Sequence, residues 1–182
     1  MAKSNHLSKF LSYVLRHRPD EIGITLDSQG WAAVDTLLQQ SNAHGYPLTR
    51  LRLEEIVKTN SKQRFSFSAD GSKIRANQGH SVSIDLGLSA QVPPAVLFHG
   101  TAQRFLASIF ATGLHSGDRQ HVHLSKEIET AYAVGKRHGK PVILEVASQE
   151  MHADGFFFFH SDNGVWLTDS VAPRYLKQSE TS

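Results

Sequence analysis

Several short stretches of this chain carry side chains able to handle an anion. In Leu114-His-Ser-Gly-Asp-Arg-Gln-His-Val-His-Leu-Ser125, Arg119 stands two residues before His121, and His123 follows at the same interval. Alternate residues of a strand share a face, so the spacing predicts one surface lined by Arg119, His121 and His123. Such a surface suits an anion, a metal ion or a nucleotide. A zinc site needs three or four ligands. No Asp, Glu or further His stands in a helpful relation to this pair, so no metal is expected. Arg16-His17-Arg18 ends a helical pattern. Cations there complement the helix dipole, so end-capping and phosphate binding are both open on local grounds. His99-Gly100-Thr101 follows the apolar run Ala95-Val-Leu-Phe, and its glycine permits close backbone approach.

The elements that must position these residues follow from periodicity. Behind Ser4 as an N-cap, Leu7, Phe10, Leu11, Val14 and Leu15 fall at helical spacing, and Pro19 ends the pattern. Ile22–Leu26 and Trp31–Val34 read as short strands around the turn Asp27-Ser-Gln-Gly30. Helices are expected at about residues 34–40 and, behind Thr49 as a cap, at 51–58. Arg64-Phe-Ser-Phe-Ser and Lys73-Ile-Arg-Ala flank Asp70-Gly71, which is a hairpin signature. Helix, short strands, two helices and a basic hairpin is the element order of a winged-helix module. Lys62, Arg64, Lys73 and Arg75 then point to a phosphate backbone. Residues 82–94 read as a crossover ending in Pro93-Pro94, which divides the chain into lobes 1–90 and 91–182.

In the second lobe the run from Ala95 predicts a buried strand with His99-Gly100-Thr101 at its end. A helix from Gln103 to Ala111 follows, with Phe105, Leu106, Ile109 and Phe110 as its apolar face and Gly113 as its stop. A helix after Ser125 carries Tyr132, and Pro141–Ala147 reads as a strand. Phe156–Phe159 and Val165–Thr168 form a hairpin around Ser161-Asp-Asn-Gly164, the phenylalanines being core on both faces. Without regular βαβ alternation, the expected class is α+β.

Composition narrows the function. The 182 residues include no cysteine, which excludes disulfides, thiolate metal sites and a cysteine nucleophile. No run is long and apolar enough to span a bilayer, and the first residues are not a signal peptide, so a cytoplasmic location is expected; two small lobes sharing a cleft suggest a monomer. Residues 1–90 hold 11 Lys+Arg against 8 Asp+Glu, whereas seven of the 11 histidines lie after residue 90. One half is basic and the other rich in histidine. No G-x-G-x-x-G follows a strand, and no P-loop, H-E-x-x-H or G-x-S-x-G occurs, so any dinucleotide binds outside the Rossmann manner.

Taken in order, Leu7-Ser-Lys-x-Leu-Ser-Tyr-Val-Leu-Arg-His17, Gly30-Trp31, Lys62-x-Arg64-Phe65, Ile74-Arg-Ala-x-Gln-Gly-His-Ser81, Phe98-His-Gly-Thr101, Gly113-Leu114, Arg119-x-His-Val-His-Leu-Ser125 and Gly164-Val-Trp-Leu-Thr168 closely resemble the RNA 2′-phosphotransferase family. This is the family of the NAD+-dependent tRNA 2′-phosphotransferase, here of bacterial type. The resemblance spans roughly residues 6–176. It implies a winged-helix-like lobe followed by an ADP-ribosyltransferase-like lobe. It also implies an enzyme that removes an internal 2′-phosphate from RNA with NAD+ as co-substrate and no metal. The phosphate displaces nicotinamide from the ribose, and the ribose 2″-oxygen then attacks phosphorus. The products are 2′-OH RNA, nicotinamide and ADP-ribose 1″,2″-cyclic phosphate. The family's Arg-His-Arg-Arg set maps onto Arg16, His17, Arg64 and Arg119. His99, Gly100, Thr101, His121, His123, Ser125 and Tyr132 are expected to hold NAD, while Arg18, Lys62, Arg75 and His80 are expected to face RNA.

The residue types suit this chemistry independently. Arginines grip the oxygens of a dianionic phosphate bidentately and never lose charge, and fixed cations stabilise the charge that grows around phosphorus. His17 is the natural group to protonate or hydrogen-bond the departing 2′-oxygen. An ADP-ribosyltransferase that stops at the first step, capping nucleic-acid phosphates or another acceptor, would use the same motifs. A non-catalytic winged-helix RNA-binding protein is the remaining alternative, and the complete basic set argues against it.

Overall fold

The structure is a computed structural model and describes residues 2–180. It is α+β, with small antiparallel sheets and short helices. The chain divides into two compact units, Met1–Gly87 and Leu88–Ser182.

The first unit opens with α1 (Ala2–Arg16), whose Leu7, Phe10, Leu11, Val14 and Leu15 are all buried. The helix starts before Ser4, which therefore lies inside its bounds. Pro19 begins a 3-10 turn, Pro19–Ile22, closed by Gly23 in the left-handed region at φ 69°. That turn consumes Ile22, and residues 23–26 form no strand, contrary to the expected run 22–26. The Asp27 carboxylate then accepts from the amides of Gln29 and Trp31, both at 3.0 Å, fixing the expected turn. The strand after it shrinks to β1 (Ala32–Ala33), because Val34 already starts α2 (Val34–Ala43).

Thr49 caps α3 (Arg50–Thr59), its hydroxyl accepting from the Arg52 amide at 3.2 Å as expected. The hairpin is also as expected: β2 (Phe65–Phe67) pairs with β3 (Lys73–Ala76) in the register Phe65↔Ala76, Ser66↔Arg75, Phe67↔Ile74. With β1 on the far side of β3, the order is β1-β3-β2. The inward residues Phe65, Ile74 and Ala76 join Leu37, Leu53, Ile56 and the stripe of α1 in one core.

The second unit begins with β4 (Leu97–Ala102). His99, Gly100 and Thr101 lie inside this strand, not at its end, because ladder pairing with β7 continues to Ala102. A 3-10 turn, Gln103–Phe105, precedes α4 (Leu106–Thr112). Only Leu106 and Ile109 of the expected apolar face pack on the core; Phe105 and Phe110 are exposed. The shortened helix offers too few turns to bury all four. After β5 (Leu114–His115) and β6 (Val122–Leu124) come α5 (Ile128–Gly135), β7 (Pro141–Val146) and α6 (Ser148–Ala153). The chain ends in β8 (Phe159–His160), β9 (Trp166–Thr168), β10 (Ser170–Val171), a 3-10 turn and β11 (Leu176–Gln178).

The sheets run β11-β7-β4, β6-β9-β8 and β10-β5, all antiparallel. Phe158 is fully buried, but Phe156 and Phe157 are exposed, since the strand begins only at Phe159. The four phenylalanines are therefore not a two-faced core strand. No helix among the described residues is long and apolar enough to cross a membrane.

Candidate active site

In the first unit, the end of α1 meets the segment after β3. The amide of Ser81 donates to the carbonyl of Arg16 at 2.9 Å, and the Ser81 hydroxyl lies 2.9 Å from Nδ1 of His17. Ser81 thus ties the Arg16-His17 pair at both backbone and side chain. It sits in the quoted Gln-Gly-His-Ser run, yet its polar type alone gave no hint of this task. Arg64 reaches Oδ1 of Asn60 over a long 3.5 Å, and Asn60 in turn donates to Ser8 of α1 at 3.2 Å. Nothing in the sequence singles out Asn60. Asn77 fixes the segment that leads into β2: its amide donates to the Arg64 carbonyl at 2.9 Å and its Nδ2 to the Gln63 carbonyl at 2.6 Å.

The residues expected to face RNA divide. Lys62 and Arg18 are exposed, Arg18 bridged to Asp20 at 3.1 Å. Arg75 is half-buried, its guanidinium 4.5 Å from the Trp31 ring centre and donating to the Leu86 carbonyl at 3.3 Å. His80 does not lie on the surface of the first unit. It is 1% exposed, and neither ring nitrogen has a hydrogen-bond partner among the described residues. Its Nε2 faces Gly30 so closely that a β-carbon there would sit 3.3 Å away. Gly30 and the end of α1 lie against the ring.

Burial first, then the charges of Arg16, His17 and Arg75, push His80 down to about 3, so it is neutral in the fold. The unfolded chain, with an ordinary imidazole near 6.5, binds the extra proton first as pH falls. Stability tied to His80 is therefore complete above about pH 6.5 and declines towards pH 3, by at most about 1.4 kcal/mol per pH unit. Denaturant unfolding of the wild type and of His80→Gln from pH 7 to 4 should show the steeper acid loss in the wild type. Parallel loss in both would refute the buried neutral imidazole.

In the second unit, the stretch 114–125 forms β5 at its start and β6 at Val122–Leu124, so Arg119 and His121 lie between the two in a bend. The expected common strand face is not formed. Arg119 instead turns back, and its Nη1 donates to Nδ1 of His123 at 2.8 Å. His121 goes elsewhere, 3.8 Å from the Asp169 carboxylate and edge-on to Phe159. Partial desolvation, then repulsion from Arg137, hold Arg119 below the usual arginine value; it stays cationic at neutral pH.

His99 lies 3.0 Å through Nδ1 from the carbonyl of His123. A carbonyl only accepts, so Nδ1 carries the proton and Nε2 of a neutral ring is an acceptor. Burial, chiefly, keeps His99 below the ordinary imidazole value and hence neutral. Gly100 has a structural reason of its own. A β-carbon there would lie 1.7 Å from the Ala131 carbonyl oxygen of α5, so helix backbone fills the space expected for a ligand's approach. Its peptide groups face another way. Phe98 exchanges bonds with Ser125 at 2.8 Å each way and so is a non-bonded partner of β7; two residues on, Gly100 turns its N–H and carbonyl to that same outer edge. Thr101 is buried, Ser125 half-buried, and Tyr132 exposed on α5. Among the described residues no group of three His, Asp or Glu side chains is arranged for a metal ion.

The end of α1 carries Arg16 and His17, and Arg119 stands beside His123 of β6, residue types suited to an anion in an α+β protein. Comparison with known proteins makes this specific. The family described as RNA 2′-phosphotransferase, Tpt1 / KptA family, matches residues 2–170. A probable RNA 2′-phosphotransferase of Acaryochloris marina is 55% identical over 174 residues, 96% of each chain. That of Agrobacterium fabrum is 56% identical over 179 residues, 98% of this chain and 96% of its own. A third, of Pseudomonas aeruginosa, is 50% identical over 173 residues, 94% of this chain and 95% of its own. The chain belongs to the RNA 2′-phosphotransferase family.

Proposed function

We propose that this protein removes an internal 2′-phosphate from RNA by transferring it to NAD+, yielding 2′-OH RNA, nicotinamide and ADP-ribose 1″,2″-cyclic phosphate. The observation that carries this reading is the family match over residues 2–170, which spans Arg16, His17, Arg64, His99–Thr101 and Arg119. On the same reading the first unit is a winged-helix-like module and the second an ADP-ribosyltransferase-like one. The hairpin, its sheet partner β1 and the three helices of the first unit support the former.

NAD+ supplies an electrophilic ribose carbon with nicotinamide as leaving group. The residues present fit such a co-substrate. The outward N–H and carbonyl of Gly100 match the acceptor and donor of a carboxamide, and Nε2 of neutral His99 can accept from a ribose hydroxyl. Arg119, Arg16 and Arg64 grip the phosphate oxygens and so hold the nucleophile in place. A phosphate oxygen forms the bond to the ribose carbon as the bond to nicotinamide breaks. The ribose 2″-oxygen then attacks phosphorus and the bond to the RNA 2′-oxygen breaks. On this reading His17, held by Ser81, gives that oxygen its proton or hydrogen-bonds it. The three arginines offset the charge accumulating on the equatorial oxygens.

An RNA oligonucleotide with one internal 2′-phosphate tests the reading, with products identified by mass. Phosphate loss only when NAD+ is present, with cyclic ADP-ribose phosphate appearing, is the expected outcome. Equal loss without NAD+ would refute it, and a stable ADP-ribosylated RNA would mean that the protein stops at the first step.

A further inference from the structure

We propose that His123 is a positioning residue for Arg119, acting through the lone pair of its Nδ1 rather than by holding NAD. The proposal rests on Arg119 being a phosphate ligand, as above. Arg119 stands in a bend outside any ladder, and its long side chain has up to about 2 kcal/mol of rotamer entropy to lose. An arginine that must meet phosphate bidentately needs its fork oriented beforehand. His123 supplies a fixed point. It lies in the middle of β6, paired with Leu167 of β9, with laddered residues on either side. Its Nδ1 is 2.8 Å from Nη1 of Arg119.

Chemistry determines the proton's place. A guanidinium only donates, so Nδ1 of His123 must be the unprotonated nitrogen and the ring proton sits on Nε2. His99 holds the opposite tautomer, since its Nδ1 donates to the His123 carbonyl at 3.0 Å. One strand residue thus anchors Arg119 through its side chain and His99 through its backbone. A neutral acceptor also has an advantage over a carboxylate at this place: it orients the guanidinium and leaves its positive charge for the phosphate. One N–H is engaged, and the remaining donors of the fork stay available to oxygen.

Replacing the His123 side chain leaves the backbone carbonyl to His99 intact, so the two anchors separate experimentally. The full chain is assayed for kcat and KM on the 2′-phosphorylated oligonucleotide with NAD+, with Tm as a folding control. His123→Leu should lose about 100-fold in kcat/KM, the scale of a misplaced reacting group, at a Tm close to wild type. Asparagine presents an acceptor oxygen where histidine has Nδ1, so His123→Asn should regain at least about tenfold of that loss. In an Arg119→Ala background, His123→Leu should cause no further loss, because the residue acts through the arginine. Wild-type rates in His123→Leu, no regain by His123→Asn, or losses that multiply in the double variant would each overturn the proposal. If Arg119→Ala itself turns over at the wild-type rate, the phosphate assignment of Arg119 fails and this proposal with it. A crippled Arg119→Ala beside an indifferent His123→Leu refutes the proposal alone.

Discussion

Replacing Arg119 by alanine is expected to lower kcat/KM on a 2′-phosphorylated RNA by about 100- to 1,000-fold, the usual loss on removing one fixed donor to a developing anion. The fold should survive. Arg119 is an exposed residue in a bend, and its contacts are one side-chain bond to His123 and a turn bond from its amide to the Ser116 carbonyl at 3.2 Å. Substitutions at such positions change stability by about 0.5 kcal/mol or less. Lysine is a poor substitute, because a point charge cannot span two phosphate oxygens while donating to His123. Arg119→Lys should therefore recover only part of the loss. Wild-type turnover in Arg119→Ala, with matching Tm, would remove Arg119 from the reaction.

Gly100→Ala should destabilise the second unit by about 3 kcal/mol or more, at the upper end of the range for overpacking. The added β-carbon would meet the Ala131 carbonyl oxygen at 1.7 Å, its carbon at 2.6 Å and the Gly135 nitrogen at 2.9 Å. These are backbone atoms of one helix, so no rotamer change relieves the clash; α5 must lift from β4. Gly135 repeats the requirement from the other side, where a β-carbon would lie 2.6 Å from the Thr101 carbonyl oxygen. For a chain of this length about 1 kcal/mol corresponds to about 2–4 °C, so Tm should fall by roughly 6–12 °C. A Tm within about 2 °C of wild type would refute the helix-on-strand account. Lost turnover alone would not distinguish packing from substrate contact, which is why the thermal measurement decides.

Local rules alone make some parts of this molecule legible in its sequence. The stripe Leu7, Phe10, Leu11, Val14 and Leu15 has one periodicity, and burying it needs only a partner surface. Asp70-Gly71 between alternating residues specifies a hairpin whose register followed from its turn. Thr49 acts on an amide three residues away. Where elements are short, the same rules failed. The run 22–26 looked like a strand by composition, but Pro19 and Gly23 impose a 3-10 turn that removes its first residue. The run of four phenylalanines looked like core, yet the strand starts at the last of them.

The motifs that carry chemistry divide in the same way. The sequence by itself determined the family, because eight blocks in order name a set of residue types that local structure need not interpret. It also determined the two helices and the hairpin with the longest periodic patterns. Only the tertiary structure decided what each polar group does. His80 became a buried neutral ring because it lies against Gly30 and near the charges of Arg16, His17 and Arg75. The tautomers of His99 and His123 were set by partners 24 and four residues distant in sequence. Gly100 proved to be required by α5, whereas its peptide edge, not its missing side chain, faces outward. A residue's type records what it can donate, accept or carry; which of these it does depends on burial and on the neighbour that long-range folding brings within 3 Å.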